Sequence, residues 1–94
     1  MIERDGNRLR VSGALTLANV AAEAASARQH FSGNVVVDLA AVTEVDSSAL
    51  SLIFEWQRAA RQSDCQISFC NLPASLKSLA ELYGVADLIV AADA

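Results

Sequence analysis

The stretch VVVDLAAVTEVDSSAL, from Val35 to Leu50, decides how the chain folds. It begins with three consecutive valines and continues as an apolar run too short for a helix, a pattern typical of a strand buried on both faces. Asp46, Ser47 and Ser48 stand directly before a segment with helical periodicity, where such side chains cap free backbone N–H groups. The stretch therefore predicts a buried strand that leads into a helix, and we expect any functional site at the N-terminus of that helix.

A hairpin and a first helix are predicted before this central strand. Gly6 and Asn7 form a turn pair between two strand-like segments, which favours a hairpin near the edge of the sheet. Thr16 is predicted to cap a helix that runs from about Leu17 to His30. Helical spacing gives this helix an inner face, which comprises Leu17, Val20, Ala21, Ala24, Ala27 and Phe31.

Two further helices and a strand are predicted after it. The second helix runs from about residue 47 to residue 63, and a strand at residues 66–69 follows, parallel to the central strand. Asn71 is predicted to cap the third helix, which Gly84 ends; residues 85–90 are predicted to form a short edge strand or a helical turn. The predicted inner faces comprise Ala49, Leu52, Ile53, Trp56, Ala59 and Ala60 in the second helix, and Leu76, Leu79, Ala80 and Tyr83 in the third.

Order and composition together describe a small acidic α/β domain. We expect a mixed sheet of four to five strands, with three to four helices packed mainly on one face, in a single domain of residues 1–94. Hydrophobic residues make up 53% of the chain, which excludes disorder, and a net charge of −4 argues against binding nucleic acid or an anionic membrane. The sequence has neither a signal peptide nor a membrane span, which predicts a cytoplasmic protein.

The residues offer little for catalysis. The sequence has no nucleophile motif G-x-S-x-G and no glycine-rich phosphate loop, and nothing in it brings the single histidine, His30, near the serines. Asp38, Glu44 and Asp46 have no histidine or cysteine partners at metal-ligand spacing. We therefore expect a protein that is not an enzyme, with no catalytic residue, no metal and no cofactor, in which Asp46 serves as a loop and cap residue.

A contact surface is the better-supported hypothesis. Phe54 falls on the polar side of the second helix, between serines and arginines, where an apolar ring is typical of an interface anchor. An isolated exposed phenylalanine is also common on protein surfaces, so the two interpretations stand evenly. The predicted partner-binding surface comprises Ser47, Ser48, Ser51, Phe54 and Arg58.

The central stretch also resembles a known family. Residues 35–39, Val42 and residues 45–50 resemble the signature of STAS domains, the sulfate-transporter and anti-sigma-factor-antagonist modules, and the similarity extends over nearly the whole chain. Residues 13–16 and 79–89 resemble the MlaB-like branch. The resemblance implies a small cytoplasmic subunit that binds and regulates or stabilises the ATPase of an ABC transporter for phospholipid. Such a subunit maintains outer-membrane lipid asymmetry, inserts into no membrane itself and associates with the inner membrane through its partner.

The resemblance leaves a second function open. The MlaB-like pattern has its hydroxyl residue directly after the aspartate, here Ser47, whereas anti-sigma-factor antagonists are phosphorylated one residue later, here Ser48. The chain departs from both patterns at Ala49, where glycine is usual, which disfavours phosphoryl transfer. The alternative is therefore an antagonist regulated by phosphorylation of Ser48. A small-ligand site at the same helix N-terminus is a third hypothesis.

Overall fold

A four-stranded mixed sheet and three helices make up residues 1–92, the part of the chain that this computed structural model describes. In chain order the elements are β1 Ile2–Asp5, β2 Arg8–Leu15, α1 Val20–Arg28, β3 Asn34–Val45, α2 Ser47–Gln62, β4 Gln66–Cys70, α3 Ala74–Leu82 and a 3₁₀ turn at Ala86–Leu88. The predicted α/β fold is confirmed. The last two residues of the predicted domain, 93 and 94, lie outside the described part.

The sheet has the strand order β1-β2-β3-β4. β1 and β2 form the predicted antiparallel hairpin, and β2, β3 and β4 run parallel to one another. β3 lies between β2 and β4, as expected of the most apolar strand. The carboxyl end of β3, from which α2 starts, is therefore supported by a neighbouring strand and by the core.

The core lies on one face of the sheet only. Alternate strand residues point into a single cluster with the buried residues of the helices. The strand members of this cluster are Leu9, Val11, Leu15, Val35, Val37, Leu39, Ile67 and Phe69. On the other face of β3, Val36 is half-buried and Ala40 is exposed. The prediction that β3 is buried on both faces is therefore wrong, because the helices cover only one.

α2 is the central helix of the covering layer. Five of its six predicted inner residues are buried, and the sixth, Ala59, is half-buried. Trp56 is fully buried, and its indole Nε1 donates a hydrogen bond to the Ala24 carbonyl of α1 at 3.4 Å. Burial of such a large aromatic side chain contributes several kcal/mol, roughly 3–5 by the usual cost of truncation to alanine. The apolar face of α2 therefore sets where its other faces point.

α1 starts later than predicted. Residues before Val20 form a turn in which the Thr16 carbonyl accepts from the Val20 N–H at 3.0 Å, while the Asn19 side chain accepts from the Thr16 N–H at 2.8 Å. Thr16 is thus not the cap. Leu17 lies outside the helix and is 78% exposed, and Ala21 is exposed too. The prediction placed Leu17 on the inner face because it extended the helical periodicity through the turn, and with the helix starting at Val20 the position of Ala21 faces solvent.

α3 differs from the prediction at both ends. Pro73, rather than Asn71, is the N-cap residue, and no side chain caps the helix. Asn71 instead has a left-handed backbone, with φ 57°, between β4 and the helix. Tyr83, assigned to the inner face, is 58% exposed because it follows the last helical residue. Gly84 ends the helix with φ 70°, as predicted. Residues 85–90 contain the helical turn.

A polar network on the uncovered face ties β2, β3 and the β4–α3 loop together. Asp38, 8% exposed, accepts hydrogen bonds from Arg8 at 2.8 Å, from the Ala40 N–H at 2.9 Å and from Asn71 at 3.1 Å. Burial alone would raise the pKa of Asp38, but the bonds from Ala40, Asn71 and Arg8 together hold it below its usual value. Asp38 is therefore charged at neutral pH and holds the start of the α3 loop.

Replacing Asp38 tests this network. Asp38→Asn removes the charge and should lower the free energy of unfolding at pH 7 by about 2 kcal/mol. Because the folded-state pKa of Asp38 lies below the unfolded one, its stabilisation is complete above about pH 4 and is lost as the pH falls through the folded-state value. In urea unfolding, the free energies of unfolding of the wild type and of the variant should become equal at low pH. Glu44→Gln, at an exposed position, is the control. A difference in the free energy of unfolding between wild type and Asp38→Asn that stays constant down to pH 2 would contradict the network.

Candidate functional site

Asp46 connects the end of β3 to the start of α2. Its extended backbone, with φ −135° and ψ −169°, makes it the N-cap residue. The Asp46 Oδ1 atom accepts from the Ser48 N–H at 2.8 Å, and its carbonyl accepts from the Ala49 N–H at 3.0 Å. These bonds satisfy two of the N–H groups that a helix leaves free at its first turn. The carboxylate rather than either serine therefore caps α2.

The same carboxylate also holds the turn before α1. Asp46 Oδ2 accepts from the Leu17 N–H at 3.1 Å, and the Asp46 N–H donates to the Leu15 carbonyl at 3.4 Å. The Leu17 N–H contributes most to keeping the pKa of Asp46 below its usual value; burial opposes it, and the smaller effects of the bonds from Ser48 add to the lowering. One side chain thus fixes the Leu17 turn relative to the α2 N-terminus.

A groove lies between the first half of α2 and the end of α3. This Phe54 groove has a volume of about 300 Å³. It is lined by Ser47, Ser48, Leu50, Ser51, Phe54, Tyr83 and Val85. Phe54 is half-buried and packs against the core, so its ring has both a fixed position and an open face. The lining offers hydroxyl groups and apolar surface, with the Tyr83 phenol as its one ionisable group.

A second groove lies on the other side of α2. This Leu17 groove has a volume of about 390 Å³. It is lined by Leu17, Val20, Ala21, Ala24, Ser48, Ser51, Leu52 and Glu55. Ser48 and Ser51 line both grooves, and we call these two residues the serine ridge. Because serine is small, the ridge leaves the sides of both grooves accessible.

The structure brings together four of the five residues of the predicted partner surface. Ser47, Ser48, Ser51 and Phe54 meet at the Phe54 groove. Arg58 lies outside it, one helical turn beyond Phe54, and forms an ion pair with Glu55. Helical periodicity put Arg58 on the same face as Phe54 but gave no sign of where a groove would end.

Glu55 joins Arg58 to α1. Its other oxygen binds Arg28 at 2.5 Å, so the carboxylate lies between two guanidinium groups. Exposed pairs of this kind contribute little to stability. They do neutralise the charge of Glu55 where the Leu17 groove ends.

Tyr83, Val85 and Leu17 are site residues that the sequence reasoning did not select. Tyr83 and Val85 flank Gly84, whose left-handed backbone turns the chain beside α2. Leu17 is exposed although its backbone is held by Asp46. The helix-ending glycine was the available signal for the first two, whereas the Leu17–Asp46 bond joins residues far apart in sequence and could not be foreseen.

Hydroxyl groups and apolar side chains dominate the lining of both grooves. Within residues 1–92, no three His, Cys, Asp or Glu side chains come close enough to hold a metal ion. In the same part of the chain, no helix has both the length and the apolar character needed to cross a membrane. Neither groove is lined by a histidine, and Glu55, the one carboxylate of the Leu17 groove, is paired with Arg28 and Arg58.

Amide exchange tests the link that Asp46 makes. Asp46→Ala removes both acceptor oxygens, so the Leu17 and Ser48 amides should exchange with solvent markedly faster, whereas amides in the middle of α2 keep their protection. Asp46→Asn retains one acceptor oxygen and should protect one of the two amides better than alanine does. Hydrogen–deuterium exchange by NMR reads each amide separately. Unchanged protection at Leu17 in the alanine variant would show that the turn is held by other contacts.

Solved structures match the fold. The anti-sigma factor antagonist SpoIIAA in its unphosphorylated form aligns with a TM-score of 0.73 at 14% identity, covering 99% of this chain and 87% of that one. The phosphorylated form of the Bacillus cell fate determinant SpoIIAA aligns with a TM-score of 0.65 at 16% identity, covering 99% and 90%. Mglu aligns with a TM-score of 0.60 at 20% identity, covering 79% of this chain and 20% of the Mglu chain. These identities show a shared fold alone.

A family model matches the sequence directly. The family is described as "Mlab, STAS domain", and its model matches residues 1–91. No curated protein matches the chain significantly. STAS domains are typically regulatory or binding domains without catalysis. Because the family model spans nearly the whole sequence, the chain belongs to the STAS domain family.

Proposed function

We propose that this chain is a non-catalytic STAS subunit that binds the ATPase of an ABC transporter and regulates or stabilises it. The transporter would move phospholipid between membranes and so maintain outer-membrane lipid asymmetry. The family description, "Mlab, STAS domain", supports this branch of the family, together with the sequence features at residues 13–16 and 79–89. The subunit would lie in the cytoplasm, held at the inner membrane through its partner.

The Phe54 groove is the observation that carries the proposal. It combines a half-buried aromatic ring with small hydroxyl side chains and has no reactive group. An aromatic side chain already fixed by packing loses little conformational entropy on binding, which favours its use as an interface anchor. Tyr83, on the opposite side of the groove, offers a second ring with a polar end. A partner side chain inserted between the two rings would be desolvated on both sides.

Ser47 gives the partner access to the helix N-terminus. It is exposed and, unlike Asp46, is not the N-cap residue. A close approach of the partner at this point needs a small residue, which serine provides. Substitutions at Ser47 therefore act on the interface while leaving the fold unchanged.

Replacing Ser47 by a small or a large side chain tests the proposed function. Ser47→Ala should leave binding to the transporter ATPase from the same organism within about threefold of wild type, because at most one hydrogen bond is lost. Ser47→Arg should abolish a stable complex, because a long cation would lie at the positive end of the helix dipole and separate the two surfaces. Co-purification and biolayer interferometry measure both effects.

Ser75→Arg is the matched control for this test. Ser75 is exposed in the first turn of α3, so arginine there meets a comparable helix dipole away from both grooves. The control should bind like wild type. Equal complex yields from Ser47→Ala and Ser47→Arg would contradict the assigned surface, and an ATPase that does not bind the wild type would overturn the proposed function.

The second candidate function is an anti-sigma-factor antagonist switched by phosphate on Ser48. The fold likeness to SpoIIAA in both its unphosphorylated and phosphorylated forms is the observation in its favour. The sequence argument against it from Ala49 is weakened, because Ala49 is fully buried and its methyl group faces the core rather than the loop. Asp46 supplies a different objection. Its carboxylate accepts from the Ser48 N–H, so a phosphate on Ser48 would lie next to a negative charge.

The modification state of Ser48 separates the two functions. A constitutive transporter subunit needs no switch, so protein isolated from its native cells should have the unmodified mass and co-purify with an ATPase. Intact mass spectrometry of the free and partner-bound fractions measures this. A substantial species heavier by one phosphate, located on Ser48 and absent from the bound fraction, would favour the antagonist instead.

A further inference from the structure

We infer that a cavity between the ends of α1 and α2 binds a divalent oxyanion of the phosphate type, which Arg28 and Arg58 hold in place of the Glu55 carboxylate. The cavity lies towards the C-terminal end of α2, since Arg58 follows Ser48 by ten residues, roughly 15 Å along a helix. None of these three residues lines the Phe54 groove, so the inference does not rest on the proposed function.

The cavity is small, and its accessible lining is mostly polar. Its volume is about 230 Å³, well above the ~30 Å³ that one water molecule takes up in the liquid, so an anion of a few atoms has room in it. Besides the two arginines, Gln62 and Ser63 line it with an amide and a hydroxyl group. Glu55 is the only acidic residue of the lining. The cavity therefore offers an anion several hydrogen-bond donors and a single competing carboxylate.

Two guanidinium groups converge on that carboxylate from different helices. Arg28, in the last turn of α1, pairs with Oε1 of Glu55 at 2.5 Å, and Arg58 of α2 pairs with Oε2. The helix dipole favours a cation near a helix C-terminus, which accounts for arginine at such positions. It does not account for the convergence of two arginines on one acceptor beside a cavity. Two positive charges against one negative charge leave a local excess of one, although the chain as a whole has a net charge of −4.

Neither guanidinium group has all of its donors engaged. An arginine carries five N–H donors, and within residues 1–92 Glu55 is the only side chain that Arg28 or Arg58 contacts through a hydrogen bond or an ion pair. The two arginine side chains are 51% and 64% exposed, against 32% for Glu55. A ligand that comes from solvent therefore reaches the remaining donors directly.

The charges and the bonding pattern select a phosphate-type ligand. Glu55 already places one oxygen on each guanidinium group, so the two arginines are positioned to share an acceptor with several oxygens. A phosphate group has more acceptor oxygens and carries about −1.5 to −2 charges at neutral pH, which compensates both arginines. A monovalent carboxylate would gain nothing over Glu55. Displacing Glu55 costs little, because exposed ion pairs are weak.

Glu55→Gln tests the inference, because it removes the competing charge and keeps the size of the side chain. Inorganic phosphate is titrated at constant ionic strength, and NMR follows the Arg28 and Arg58 side-chain N–H signals. We expect Glu55→Gln to bind phosphate roughly tenfold more tightly than wild type and Arg28→Gln roughly tenfold more weakly. Arg61→Gln is the matched control: Arg61 is exposed one turn beyond Arg58 and does not line the cavity, so its loss should change the affinity by less than about twofold.

Thermal unfolding establishes that each variant is folded, and a parallel titration with phenyl phosphate distinguishes the source of the phosphate group. Tighter binding of phenyl phosphate than of inorganic phosphate would support a phosphate monoester as the ligand, and the reverse would support free phosphate. Wild-type signals that respond to neither compound up to about 100 mM would overturn the inference. So would a Glu55→Gln variant that binds no more tightly than wild type, or equal losses in Arg28→Gln and Arg61→Gln, which would indicate diffuse attraction only. The Ser47 variants test the ATPase partner separately.

Discussion

The carboxylate of Asp46 holds together the three segments that form the site. It follows β3, caps α2 through the Ser48 N–H and accepts from the Leu17 N–H of the turn before α1. Ion pairs on the surface compete with water, but a carboxylate that accepts backbone N–H groups satisfies donors that would otherwise lack partners. Both grooves depend on it, because the serine ridge starts where it caps the helix and Leu17 is oriented by its second oxygen.

The sheet explains why the site lies at that end of the molecule. β3 lies between two parallel neighbours, and its apolar face packs under α2 around Trp56. The core therefore fixes the axis of α2, and the first two helical turns project their small polar residues between α1 and α3. The site needs no insertion or extra loop: it is the unburied part of the helix that the core holds most firmly.

Local sequence patterns predicted the structural features that depend on residues close together in the sequence. The hairpin at Gly6, the end of α3 at Gly84 and the inner face of α2 each follow from spacing or from a residue with a distinct backbone preference. The sequence also directed attention to the N-terminal half of α2, where both grooves lie.

The features that could not be predicted depend on contacts between distant residues. Thr16 and Asn71 are residue types that often cap helices, but neither does so here. The Thr16 carbonyl accepts a hydrogen bond within a turn, and the Asn71 side chain donates to Asp38, on a strand more than 30 positions earlier. Leu17 matched the helical period and lies outside the helix. Arg58 shares a helical face with Phe54 but does not line the groove, which α3 and the residues after it form on the other side.

The left-handed backbone at Asn71 connects the start of α3 to the polar face of the sheet, whereas Leu76 and Ala80 of the same helix pack into the core on the other face. Tyr83 reaches the groove from α3, and the loop from which α3 starts is held by Asp38 on the uncovered face of the sheet. A substitution on that polar face that moves the loop is therefore expected to shift one side of the groove without changing any residue that lines it. The shape of the groove beside α2 thus depends on residues of the opposite face of the sheet as well as on those that line it.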